Sequence, residues 1–339
     1  SASKIRAMAK SVQFSFKKDR KSDYTIHMWL AKGYGIFFRP PEQEIIRTMA
    51  AFPSPVKIEW PDEWRIPFVF SSPHSGRNYP ADFVESSLLT FAKLRQSEDF
   101  LVDELFANAP LCGAPLLTAT FPRAYCDANR EAFELDPLMY STPLPDYALT
   151  TSPRLASGIG TIPRVVGAGQ EIYAGKLDFR EAQRRITDCY FPYHHALRQL
   201  LEEGVRKFGF IYLLDCHSMP ATACGEGRGK SGLRGARPDI ILGNRYGTSC
   251  AAPLFNNILT RLENLGYRIG LNTPYAGGFI TAHYGRPDHN IHALQIEINR
   301  GLYMDQHRLA PTDGFPRLKN NISRFIDGLG AEYSSLLTA

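Results

Sequence analysis

The chain has 339 residues, 44% of them hydrophobic and 22% charged, which is enough to bury a large core as one domain or one plus an appendage. Its formal charge of +5 is concentrated: residues 1–48 hold ten Lys or Arg against four Asp or Glu, so the remainder is close to neutral. A near-neutral body argues against nucleic acid as a partner, and no apolar run is long enough to span a bilayer.

Residues 1–48 form a basic, weakly patterned extension ending in Arg39-Pro-Pro41, and Met49-Ala-Ala-Phe-Pro53 reads as a fresh start. The expectation is a single catalytic domain over 49–339, with the first segment outside the functional protein. The N-terminus lacks the apolar stretch and small-residue cleavage site of a secretory signal, and Lys32 interrupts the candidate run Met28–Phe38. Cys112, Cys126, Cys189, Cys216, Cys224 and Cys250 are scattered without a CxxC pair, as expected of reduced thiols. A cytoplasmic protein is expected.

From Ile66 onward strands and helices alternate. Apolar, β-rich runs occupy 66–72, 115–120, 208–215, 239–243 and 293–298, and helical periodicity is clearest at Ser97–Ala109, Phe179–Phe208 and Ala252–Leu265. Leu101, Leu105 and Phe106 share one apolar face; Ile186, Tyr190, Tyr193, Leu197 and Leu201 share another. This alternation predicts an α/β fold of three layers, α/β/α, around a mixed, largely parallel central sheet. Between these elements, Thr150–Gly175 is rich in Gly, Pro and Ser and too long for a simple connection; it is either a lid over a site or a surface excursion. Gly225-Glu-Gly-Arg-Gly-Lys-Ser231 fails as a phosphate loop, since that spacing demands glycine where Cys224 stands. A Gly-rich loop beside the site is the better reading.

Three predicted strands end on ligand-type residues: Phe68-Val-Phe-Ser-Ser-Pro-His74, Ile211-Tyr-Leu-Leu-Asp-Cys-His217 and Leu294-Gln-Ile-Glu297. Active sites of open α/β sheets collect at strand ends. Either histidine alone is ordinary, but two in the same setting predict a metal site, zinc being the natural choice for imidazole and carboxylate ligands with an open position for water. Asp215 is suited to orient His217. The third ligand should be a carboxylate, for which Glu98, Asp99 and Asp103 compete; Asp99 is the choice, and Asp103 reads as structural. His283, His289 and His292 lie in a loop without the strand-then-ligand setting and read as substrate-side or surface groups.

Zinc lowers the pKa of coordinated water towards ~7, and a general base must then move its proton to the leaving amine. Glu297, a lone acid in an apolar strand, suits that task; the competing role is an ion pair with Arg300 or another arginine. Asp127-Ala-Asn-Arg130 follows Phe121-Pro-Arg123. Arg130 with Asn129 can hold a substrate carboxylate, and Arg123 can polarise a carbonyl, unless Asp127 ties either arginine into a structural salt bridge.

Taken together, Pro73-His-Ser-Gly76, Asp127-x-Asn-Arg130, Asp215-x-His-Ser218 and Gln295-Ile-Glu-Ile298 resemble the N-formylglutamate amidohydrolase (N-formylglutamate deformylase) family. The similarity extends to Gly158-Ile-Gly-Thr-Ile-Pro-Arg164, Pro192-Tyr-His-His195, Gly243-Asn-Arg-Tyr-Gly-Thr-Ser249 and Gly277-Gly-Phe-Ile-Thr281, over roughly residues 65–310. More widely the chain is similar to zinc carboxypeptidases and aspartoacylases. The resemblance implies one zinc on His74, Asp99 and His217, Glu297 as base, a carboxylate on Asn129 and Arg130, and Arg123 near the carbonyl. It departs from the carboxypeptidase pattern at the third position after His74, where Arg77 replaces a ligand glutamate. The implied reaction is hydrolysis of N-formyl-L-glutamate to formate and glutamate, in histidine degradation. Such a substrate has two carboxylates, and Arg286 or Arg245 would supply the second cation. Alternatives are a carboxypeptidase, an amidohydrolase for another N-acyl amino acid, or an inactive metal- or anion-binding relative. Glu297 beside both histidines argues against the last.

Overall fold

The computed structural model describes residues 9–19, 22–31, 34–38, 54–223 and 237–337, so the Gly225–Ser231 loop lies outside the described residues. The chain divides into two units, residues 1–51 and 52–339. In the first, β1 (Ala9–Asp19), β2 (Ser22–Ala31) and β3 (Tyr34–Phe38) form an antiparallel sheet in that order, with Phe14 opposite Ile26 and Val12 opposite Met28. The segment's weak patterning conceals a short two-residue alternation, Val12-Phe14-Phe16 and Tyr24-Ile26-Met28-Leu30, which is a strand signal.

The second unit is built on β4 (Val56–Glu59), β5 (Phe68–Ser72), β6 (Leu116–Ala119), β9 (Ile211–Met219), β10 (Ile240–Gly243), β11 (Ile269–Leu271) and β12 (Ile291–Asn299); β7 (Val165–Val166) and β8 (Gln170–Glu171) pair apart as a hairpin. The sheet order is β11-β10-β12-β9-β5-β6-β4. Neighbours run parallel at β5/β6, β5/β9, β9/β12 and β10/β11, and antiparallel at β4/β6 and β10/β12. This is the mixed, largely parallel sheet expected from the alternating pattern.

The principal helices are α1 (Val102–Leu105), α2 (Phe179–Arg185), α3 (Phe191–Phe208), α4 (Ala252–Asn264), α5 (Phe279–Tyr284) and α6 (Gly314–Leu337). On one sheet face Phe68, Phe70, Leu214, Cys216, Leu294 and Ile296 pack with residues of α1, α4 and α6, among them Val102, Leu105, Leu254, Ile258, Ile322 and Phe325. Strand residues alternate between faces. Ser71, Asp215, His217, Gln295 and Glu297 therefore share the opposite face with α3, where the Tyr193 hydroxyl lies 2.5 Å from Ser71 Oγ. Gly204 lets α3 approach this face, since a Cβ there would stand 2.4 Å from Ile211 Cδ1.

The helical pattern over 179–208 forms as α2 and α3 joined through a π-helical turn, Ile186–Tyr190, and 252–265 forms as α4. The pattern over 97–109 does not form one helix. Leu101 takes a left-handed backbone (φ 58°), and only the four residues of α1 follow. The cause is tertiary: the Asp99 N–H donates to the His74 carbonyl (3.0 Å), and its carboxylate is drawn to two histidines, which pulls the first turn out of line. Leu101, Leu105 and Phe106 are still buried.

His194 ties α3 to the elements around the site. Its Nε2 lies 2.8 Å from the Ala128 carbonyl oxygen and its Nδ1 2.9 Å from Tyr284 Oη. A ring that donates from Nε2 and accepts at Nδ1 is neutral, and burial pushes its pKa down to about 3. The unfolded chain has its histidine pKa near ~6.5. Between those values the unfolded state binds a proton that the folded state does not. This contribution to stability is therefore intact above pH ~6.5 and declines as pH falls towards ~3, by about 1.4 kcal/mol per pH unit. We predict about 2 kcal/mol lost from this group between pH 7 and pH 5, read from urea unfolding. His194→Gln should flatten that slope; an unchanged slope in the variant would show that another group titrates.

Candidate active site

Parallel strands deliver their C-terminal ends to one sheet edge, where crevices form in open α/β folds. His74 lies two residues beyond β5, and His217 and Glu297 sit in register near the ends of β9 and β12. His74, Asp99 and His217 are all buried, and their ligand-type atoms lie within 4.8 Å of one another. Asp99 Oδ2 is 3.0 Å from His217 Nδ1 and 3.4 Å from His74 Nδ1. The outer nitrogens face carboxylates: His74 Nε2 is 2.7 Å from Asp127 Oδ1, and His217 Nε2 is 3.0 Å from Asp215 Oδ2. The Nδ1 atoms thus converge on Asp99 while the Nε2 atoms are backed by acids, the usual arrangement around a metal-binding histidine pair.

These residues suit a divalent cation. His74 Nδ1 is buried and lacks a hydrogen-bond partner, an expensive condition that a bound cation relieves. Tetrahedral ligand bonds of ~2.0–2.1 Å separate donor atoms by ~3.3 Å, close to the spacings at Asp99 Oδ2. Each of the three groups is also held by charged neighbours at close range. Asp99 is buried, which alone would raise its pKa, but the two imidazoles hold it well below the usual carboxylate range. Asp127 likewise overcomes burial through Arg130, Arg123 and His74. Burial opposes a charged His217, yet Asp215 and Asp99 raise its pKa well above the ordinary value.

Arg300 fixes Asp99. Its Nη2 donates to Asp99 Oδ1 (3.1 Å) and the Glu98 carbonyl (2.5 Å), its Nη1 to the Gln96 carbonyl (3.2 Å), and its Nε to Ser218 Oγ (3.0 Å). Ser218 Oγ in turn donates to Asp99 Oδ1 (3.1 Å). Arg300 therefore is not the partner of Glu297, whose Oε1 accepts from Gln295 Nε2 at 2.8 Å. Burial, opposed by His217, pushes Glu297 up to about 7. The rival acids are engaged elsewhere. Glu98 accepts from Arg95 and Tyr79, and Asp103 pairs with Arg77 at 2.5 Å, so the residue that departs from the carboxypeptidase pattern forms a peripheral ion pair.

A cleft of about 570 Å³ opens over this centre, and its lining includes His74, Asp99, His217, Glu297, Arg123, Asn129 and Arg130. Arg123 Nε donates to Asp127 Oδ2 (2.9 Å), so the structural salt bridge is real and engages that nitrogen. Arg130 Nε donates to the Ile159 carbonyl (2.7 Å) and Nη1 to the Asn129 carbonyl (2.7 Å). Burial lowers Arg130 to about 10, still a cation at neutral pH. Asn129 Oδ1 accepts from the Ile280 N–H (2.8 Å), and its Nδ2 lies 3.3 Å from His217 Nε2. Gly278 makes room for this amide, since a Cβ there would stand 2.4 Å from Asn129 Nδ2.

Other expectations are corrected. Arg286 is not in the cleft: its backbone N–H bonds the Ile291 carbonyl (2.7 Å) and its Nε the His283 carbonyl (3.1 Å). It sits where β12 begins, about 20 Å of strand from Glu297 at ~3.3 Å per residue. His283, His289 and His292 also belong to that end and do not line the cleft. Arg245 donates to the Gly277 carbonyl (3.4 Å) and does not line it either. Three participants were not read from the sequence: Asp127 as the partner of His74, Arg300 as the anchor of Asp99, and Arg154 on the cleft wall. Gln295 was legible in principle, because two-residue spacing puts it on the face of Glu297. Contacts 53 and 201 residues apart left no local signal.

The sequence model of the N-formylglutamate amidohydrolase family matches residues 66–304. The chain belongs to this family. It is 30% identical over 250 residues to the N-formylglutamate deformylase of Pseudomonas aeruginosa, covering 71% of this chain and 84% of that protein. It is 29% identical over 245 residues to that of Pseudomonas putida, covering 71% and 83%. Among solved structures, the N-formylglutamate amidohydrolase from Ralstonia eutropha JMP134 superposes with a TM-score of 0.76 at 36% identity, covering 82% of this chain and 98% of that one. As a member of the N-formylglutamate amidohydrolase family, the protein is a hydrolase acting on an amide, and the His-Asp-His cluster lies within the matched span.

A backing carboxylate typically changes metal affinity 10–100-fold. For the divalent cation that the cluster suits, with added Zn²⁺ as the probe, Asp215→Asn, a nearly isosteric change at a fully buried residue, is expected to weaken binding in that range, measured by competition with a chromogenic chelator. Unchanged affinity in a folded variant would mean that Asp215 does not support His217 as a ligand.

Proposed function

We propose that the protein hydrolyses the formamide bond of N-formyl-L-glutamate, giving formate and L-glutamate, with one Zn²⁺ held by His74, Asp99 and His217. The observation that carries this reading is the convergence of three buried ligand atoms beside a cleft carboxylate, Glu297, in a chain of this family. The names of its relatives supply the substrate, and we further propose that the reaction belongs to histidine degradation.

When bound, the cation would polarise the formyl carbonyl and acidify the attacking water. Glu297 takes the proton from that water and passes it to the departing amine, so that the C–N bond breaks with the nitrogen protonated. A buried carboxylate with a pKa near 7 is matched to both halves of this transfer. Gln295 holds one oxygen of Glu297 and fixes its direction. The Nη groups of Arg123, whose Nε is tied to Asp127, stabilise charge on the carbonyl oxygen. Asn129 and Arg130 hold the α-carboxylate next to the reacting amide. Asp127 and Asp215 keep each imidazole turned inward.

Purified protein is expected to carry about one zinc per chain and to release formate from N-formyl-L-glutamate, with chelation abolishing turnover. Glu297→Gln should keep the metal and lose about 10²–10⁴-fold in kcat. A panel of formyl-Glu, formyl-Asp, acetyl-Glu and a C-terminal dipeptide tests the substrate: preference for an acetyl compound or the dipeptide overturns the formyl assignment. Zinc-free protein with full activity overturns the metal chemistry.

A further inference from the structure

A substrate with two carboxylates needs a second cationic hold, and three of the four arginines lining the cleft are fixed to the protein. Arg300 donates four hydrogen bonds around Asp99. Arg130 is fastened through Nε and Nη1, and Arg123 through Nε. Arg154 differs. It stands on a short helix, Pro153–Ala156, and its guanidinium makes no hydrogen bond to the described residues. Its ion-pair neighbour is Glu134 Oε2 at 3.9 Å, too far for a hydrogen bond. That oxygen is buried and has no hydrogen-bond partner, while Glu134 Oε1 accepts from Ser152 Oγ at 2.5 Å. Glu134 is thus a fixed negative point that keeps Arg154 nearby without occupying its donors.

We infer that Arg154 binds the side-chain carboxylate of the substrate and sets the preference for an acidic over a neutral side chain. This deepens the reading of the site as an N-formylglutamate hydrolase and rests on it. Asn129, 3.3 Å from His217, and its neighbour Arg130 serve the carboxylate closest to the reacting amide. Arg154 lines the same cleft as Asn129 and Arg130, on the wall formed by 154–169 with Ser157 and Ile159. Arg154 is close enough for its charge to help lower the pKa of Arg130. Two guanidinium groups facing one cavity repel each other until an anion screens them, so an acidic ligand relieves a tension already present.

The test compares N-formyl-L-glutamate with N-formyl-L-glutamine, which has the same shape without the distal charge, in wild type, Arg154→Ala and Arg154→Lys. We expect wild type to prefer the glutamate compound by 10²-fold or more in kcat/KM. Arg154→Ala should lose about 10²-fold on it, chiefly through KM, while turnover of the glutamine compound barely changes. Arg154→Lys should recover part of the loss. Equal losses on both substrates, or no loss on either, overturn the inference and leave the site's chemistry intact. Failure of the wild type to release formate from either compound overturns the underlying assignment and this inference with it. Binding of the product provides a readout independent of turnover: Arg154→Ala should weaken L-glutamate but not L-glutamine in calorimetry, and parallel weakening of both counts against the role.

Discussion

One carboxylate organises this protein. Asp99 is almost completely buried, and each of its oxygens is occupied: Oδ2 by two imidazoles, Oδ1 by Ser218 and Arg300. An ionised group in such a place is tolerable only with partners at close range. Those partners come from β9, from the turn after β12, and from the loop after β5, so satisfying one side chain draws three segments to a point. The same demand bends the chain at Leu101 and limits the following helix to one turn. Local helical preference there yields to the electrostatics of the centre.

The carboxylates around it separate by environment. Asp99, Asp127 and Asp215 each face an imidazole; the two histidines keep Asp99 ionised, and Arg130, Arg123 and His74 keep Asp127 so. Glu297 shares the face and the burial but has a neutral amide, Gln295, as its hydrogen-bond donor. Burial is therefore less fully offset, and its proton affinity rises to near neutrality. Fixed acids hold the framework, and the weakly held one is free to exchange a proton. Glu297 also feels the charges of His217 and Arg123, but burial outweighs them where the only side-chain hydrogen bond to its carboxylate among the described residues comes from a neutral amide.

Much of this was legible in the sequence where chemistry and periodicity coincide. Each of β5, β9 and β12 announces itself as an apolar run and ends near a polar ligand-type residue, so the sequence itself groups His74, His217 and Glu297. The mixed sheet followed from the same alternation. Two kinds of information were missing. Short or marginal strands such as β4 and β11, four and three residues long, give too little pattern to read. Long-range partnerships leave no local trace, which is why the sequence admits Arg300 as a partner for Glu297 although it serves Asp99. Arg286 illustrates a related limit: a strand has two ends, and sequence proximity to β12 did not reveal which one its loop joins.

The wall opposite the strands is fastened to the floor of the cleft. The Asp127 N–H bonds the Thr161 carbonyl (2.8 Å), the Thr161 N–H bonds the Glu134 carbonyl (2.9 Å), and Arg130 reaches the Ile159 carbonyl. These bonds fix the middle of the wall, and the side chains of Arg154 and Ser157 take no part in them. Replacements there can reshape which acids are admitted while the catalytic framework stays still.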